Sequence, residues 1–102
     1  MTALRELSEI LAKVDDAETM YRFFNSILTK DEIRTIASRW ELVKLLYEGV
    51  SQRNIGKKLG LSLCKITRGS RELRKQNSIL KKIIVEHTEL KAPEIYYQHR
   101  SK

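Results

Sequence analysis

A chain of 102 residues, 41% of them hydrophobic, fits one domain with a marginal core, so apolar surface shared between copies is expected. Its net charge of +7 and sequence pI of about 9.7 favour polyanionic partners. The lone cysteine excludes an intrachain disulfide, the acids near the N-terminus are unlike a signal peptide, and no apolar run approaches the roughly 20 residues that span a bilayer, so a cytoplasmic protein is expected.

Apolar residues recur at three and four almost throughout, and the single proline, Pro93, lies near the end, a pattern of helices without strands. Leu4, Leu7, Ile10 and Leu11 mark a first helix. Asp15 or Asp16 caps a second that ends near Leu28, with Met20, Phe23, Phe24 and Ile27 as its apolar face. Thr29 followed by Glu32 forms a capping box and opens a long helix. Ile33, Ile36, Ala37, Trp40, Val43 and Tyr47 trace its inner face to Glu48, with Trp40 read as core and Gly49 as the left-handed stop.

Ser51 caps a short helix over 52–59, Gly60 ends it, and Ser62 caps the next through Arg74. A last helix is expected from Ser78 to Glu89, so residues 1–90 form the helical domain and 91–102 a flexible tail.

The run from Gln52 to Ser70 meets the requirements of a helix-turn-helix. Gly56 is the small residue where two helices touch, Ile55 and Leu59 form an inner face, Gly60 makes the turn, and Leu61 and Ile66 pin the second helix. Ten basic side chains and one acid, Glu72, fall between Gln52 and Lys82, while the rest of the chain is acidic on balance. Such segregation marks a nucleic-acid face rather than an evenly solvated surface.

In that geometry Ser62, Leu63, Cys64, Lys65 and Thr67 approach the major groove, with Lys65 and Thr67 in reach of base edges. Gln52 and Arg53 at a helix N-terminus hold phosphate, and Arg71 and Arg74 extend the positive face with Lys75. No catalytic pairing or metal-ligand spacing is present: His87 and His99 are isolated, so neither an enzyme nor a metal site is expected. Tyr96 and Tyr97 belong to the tail.

The segments Leu28-Thr29-Lys30-Asp31-Glu32, Ser38-Arg39, Tyr47-Glu48-Gly49, Ser51-Gln52-Arg53 and Ile66-Thr67-Arg68-Gly69-Ser70 together resemble the bacterial tryptophan operon repressor family, over about Phe24 to Arg74. The resemblance implies an all-α, intertwined six-helix homodimer subunit with a helix-turn-helix, which binds an operator in double-stranded DNA when L-tryptophan, a regulatory ligand rather than a cofactor, is bound. It implies that Arg39 and Arg68 sandwich the indole and that Thr29 and Arg68 hold the carboxylate. It further implies that Val43 lines the wall and that carbonyls around Ser26 and Leu28 of the partner chain accept the ammonium.

The sequence departs from the family in three places. One residue fewer precedes Ser51, Glu72 stands where a serine lies near the ligand's amino group, and Lys65 replaces a smaller polar residue. Glu72 either strengthens an ammonium contact or, four residues from Arg68, neutralises that arginine. Three readings follow: a repressor activated by L-tryptophan, a helix-turn-helix regulator with another ligand or none, and a helix-turn-helix that docks on protein.

Overall fold

The computed structural model describes residues 2–93, so the expectations for Tyr96, Tyr97, His99 and most of the expected tail lie outside the described residues. Regular structure among the described residues is entirely helical, in six helices. Their ends follow from local chemistry. Helix α1 (Ala3–Leu11) begins where the Thr2 hydroxyl accepts from the Arg5 amide. Helix α2 (Ala17–Ile27) begins where the Asp16 carboxylate accepts from the Thr19 hydroxyl and amide, the contacts that hold its pKa below the usual value.

Helix α3 (Lys30–Tyr47) opens on the expected reciprocal cap: the Glu32 amide donates to Thr29 Oγ1 at 3.1 Å and the Thr29 amide donates to Glu32 Oε1 at 2.8 Å. It closes on Gly49, whose φ of +89° suits glycine. The Gly49 amide donates to the Leu46 carbonyl and the Val50 amide to the Leu45 carbonyl, which together make a Schellman ending.

Helices α4 (Gln52–Leu59), α5 (Leu63–Arg74) and α6 (Ile79–His87) start at the hydroxyls of Ser51, Ser62 and Ser78. Helix α6 ends two residues earlier than expected, because Thr88 leaves the helical conformation while its amide and hydroxyl both donate to the Ile84 carbonyl.

The chain forms two compact units, Met1–Ile36 and Ala37–Lys102. In the first, no described residue is fully buried. Met20, Phe23 and Leu28 are half-buried and the Phe23 and Phe24 rings meet edge-on at 6.0 Å, while Tyr21 and Ile27 remain 65% and 57% exposed.

The second unit has a true core. Leu42, Val43, Leu46 and Tyr47 of α3 meet Ile55 of α4, Ile66 and Leu73 of α5, and Ile84 of α6. Each such aliphatic side chain contributes about 1.5–3 kcal/mol by leaving water. Trp40 departs from the sequence expectation: it is 37% exposed, and Ile36 is more so. Both lie on one helical stripe with Val43 and Tyr47, but only the C-terminal part of that stripe, Val43 and Tyr47, is buried.

Candidate nucleic-acid interface and ligand site

The connection Gly60-Leu61-Ser62 joins α4 to α5, and the two helices pack directly against each other. Gly60 adopts the left-handed conformation at φ +65°, and its amide donates to the Gly56 carbonyl. Ile55 and Ile66 are fully buried between them, with Leu59 and Leu61 half-buried against the same core. A Cβ on Gly56 would meet Ile66 Cδ1 at 3.6 Å, an ordinary contact, so Gly56 does lie at the junction but a methyl group would fit there.

The tight approach is elsewhere. A Cβ on Gly69 would stand 2.9 Å from Leu42 Cδ2 and 3.4 Å from Leu46 Cδ1. Gly69 is therefore a point of close approach of α5 to α3, a role that its place in the Ile-Thr-Arg-Gly-Ser run did not reveal. The only sequence signal for it is a glycine inside a helix, where glycine costs about 0.5–1 kcal/mol relative to alanine and so calls for a packing reason.

Helix α5 sorts its side chains by period. Ile66, Ser70 and Leu73 face inward, while Leu63, Cys64, Lys65, Arg68, Arg71 and Arg74 are exposed. Thr67, expected at base edges, is half-buried, so less of it is free to reach outward than of Lys65. Ser62 is committed by its hydroxyl to the Lys65 amide, and Cys64 is an exposed free thiol. At the start of α4, Arg53 is exposed and Gln52 half-buried.

Gln52 and Ser51 join Val50, Leu46, Ser70 and Arg74 around a hollow of about 210 Å³. The Arg74 Nε donates to the Ser70 carbonyl at 3.3 Å, and the buried Ser70 hydroxyl makes no hydrogen bond among the described residues. Free helix amides, a guanidinium and a hydroxyl on an apolar floor suit an anionic oxygen. Sequence reasoning passed over Ser70, because its burial depends on where α3 lies.

Of the residues expected around a ligand, Arg39 and Val43 on α3 and Arg68 and Glu72 on α5 belong to the second unit, on the two helices that Gly69 brings together. Neither Arg39 nor Arg68 makes an ion pair or side-chain hydrogen bond among the described residues. Both keep a flat cation available. Glu72 pairs instead with Lys75, Nζ to Oε1 at 2.9 Å, so its carboxylate does not neutralise Arg68. Val43 is buried. Ser26, Leu28 and Thr29 belong to the first unit: Ser26 and Thr29 are exposed, and Leu28 is half-buried. Thr29 Oγ1 accepts from the Glu32 amide, which leaves its own O–H free to donate. Among the described residues no cluster of His, Cys, Asp and Glu could hold a metal ion, and no helix is long and apolar enough to cross a membrane.

Comparison with known proteins places these features in a family. Residues 2–88 match the family described as Trp repressor protein. A Trp operon repressor homolog from Chlamydia caviae is 40% identical over 67 residues, 65% of this chain and 66% of that protein. One from Xylella fastidiosa is 37% identical over 76 residues, 74% of this chain and 83% of that protein. The fold is also similar to a crystal structure from Staphylococcus aureus assigned as a Trp repressor, with a TM-score of 0.78 and 25% identity over 89% of this chain and 90% of that one.

Proposed function

The chain belongs to the Trp repressor family, and from that premise we propose that it is a cytoplasmic, homodimeric, DNA-binding transcriptional repressor activated by L-tryptophan. The observation that carries the ligand part is the pair Arg39 and Arg68, two uncommitted guanidinium groups on helices joined at a glycine contact. A planar cation on each side suits an indole, and the second fork of Arg68 suits a carboxylate, with the Thr29 hydroxyl as a further donor. Ser26 and Leu28 of the partner chain supply carbonyls for the ammonium, and Val43 supplies the apolar wall.

DNA binding is supported by the exposed row Leu63, Cys64, Lys65, Arg68, Arg71 and Arg74, with Gln52 and Arg53 at the opening of α4. Lys65 and Thr67 read bases, Leu63 and Cys64 approach the groove beside them, Ser62 sets the start of the helix that carries them, and Gln52, Arg53, Arg71 and Arg74 grip phosphate. Dimerisation is supported by the first unit, whose apolar side chains stay in water in a single chain. The free, exposed Cys64 accords with a reducing cytoplasm.

Ligand enters this scheme as a population shift: tryptophan wedged between α3 and α5 favours the orientation of α5 that fits the groove. Calorimetry with L-tryptophan, and DNA affinity measured with and without it, test the reading. Heat of binding and tighter DNA binding in the native protein, both absent in Arg68→Ala, are expected; no heat at millimolar ligand with folded protein defeats the tryptophan part.

One observation favours a second reading. Glu72 stands where the resemblance expects a serine near the ligand's amino group, and its carboxylate is paired with Lys75 rather than left open for an ammonium, which favours a ligand other than tryptophan or a regulator that needs none. DNA affinity indifferent to every aromatic amino acid would select it. A flat dependence of DNA affinity on salt would select docking on a protein instead.

A further inference from the structure

The structure assigns Thr88–Pro93 a role as a strap that holds the turn between α3 and α4 and so positions the start of α4 for DNA; this rests on the DNA-binding reading above. The strap begins at Thr88, whose hydroxyl donates to the Ile84 carbonyl at 2.7 Å and accepts from the Leu90 amide at 3.3 Å. Those two bonds turn the chain out of α6 in a defined direction. Leu90 and Ala92 then pack against the core cluster. Pro93 arrives on Gly49 so closely that a Cβ there would overlap Pro93 Cγ and lie 3.0 Å from Pro93 Cδ.

The choice of residues on both sides fits a clamp. Gly49 carries a positive φ, and its bare Cα offers the flat surface that a ring can press. Proline has a rigid ring and no N–H, so it covers a turn without burying a donor that lacks an acceptor. The clamped residue is also well placed. Gly49 ends α3, and Val50 alone separates it from Ser51, the cap of α4. Gly49, Val50, Ser51 and Gln52 all line the hollow that includes Arg74, so movement of the turn moves the helix start proposed to meet phosphate. Pro93 is therefore a positioning residue, acting through Gly49 on Ser51, Gln52 and Arg53.

The test uses the full chain, a random-sequence DNA duplex at low salt, and amide hydrogen exchange. Pro93→Ala removes the ring atoms that meet Gly49 but leaves Ile55, Ile66, Leu73 and Ile84 in place. The expected result is exchange about fivefold faster at the Val50 and Asn54 amides, duplex affinity about fivefold weaker, and an unchanged thermal midpoint and exchange at Ile66. Gly49→Ala supplies the second measurement. In the native chain it meets both the strained φ and the ring, whereas in the Pro93→Ala background it meets only the strain. The effect of Gly49→Ala on exchange and duplex affinity is therefore smaller in that background.

Unchanged exchange at Val50 in Pro93→Ala overturns the strap, as do strictly additive effects of the two substitutions. Faster exchange with unchanged duplex affinity overturns its role in DNA binding. A native chain that fails to bind the duplex at all defeats the DNA-binding reading instead, and the exchange arm alone then decides the strap.

Discussion

The two units of this chain are built from similar helices and reach opposite degrees of burial. Unit 37–102 encloses Ile55, Ile66, Leu73 and Ile84 at 2% exposure or less, whereas no described residue of unit 1–36 is buried. The caps are equally good in both, since Asp16 and the Thr29–Glu32 pair serve the first as Ser51 and Ser62 serve the second. Capping decides where helices begin, and it does not decide whether they have something to pack against. Exposed Tyr21, Phe24 and Ile27 thus mark the face proposed to meet a second copy, in contrast to the closed core of the other unit.

The comparison breaks most sharply under truncation. Leu73→Ala should cost about 2–5 kcal/mol in chemical denaturation, with a loss that does not depend on protein concentration. Paired changes Phe24→Asp and Ile27→Asp should instead dissociate the proposed dimer in sedimentation experiments while helices α4 and α5 stay folded. Loss of the α4–α5 fold in that variant would mean that the second unit does not stand on its own core.

Within the second unit, Gly69→Ala should destabilise by about 1–3 kcal/mol, because the methyl group must displace Leu42 where α5 touches α3. Gly56→Ala should move the other way, stabilising by about 0.5–1 kcal/mol in thermal unfolding, because its helix-interior position has ordinary space around it. Equal effects from the two would remove the distinction between a close approach and a convenient small residue.

The smallest effect belongs to the first unit. The hydroxyl and amide of Thr19 hold the Asp16 carboxyl below its usual pKa, so this cap stabilises α2 at neutral pH and weakens as the pH falls through the lowered value. Chemical shifts of residues 17–20 followed into acid should show α2 fraying, and Asp16→Asn, which caps without titrating, should remove that pH dependence.

The starts of α2 to α6, the two glycine stops and the basic character of the α4–α5 region were legible in the sequence, because each depends on residues close together in the chain. Other features were not legible. Trp40 carries the apolar signature of a core residue, yet it stays 37% exposed. Ser70 stands out in the sequence only as the end of the helix-turn-helix run, and it is buried. Pro93 reads as the point where periodicity ends, and it is a packed contact on a turn 44 positions earlier in the chain.

By itself, then, the sequence determined the six helices and the charge of the face proposed to meet DNA, through short-range hydrogen bonding and composition. Only the tertiary structure decided that Gly69 rather than Gly56 is the tight contact, that Arg39 and Arg68 are uncommitted on adjoining helices, and that Pro93 rests on Gly49. Those outcomes depend on the distance between segments far apart in the chain, which close packing sets and local propensity does not encode.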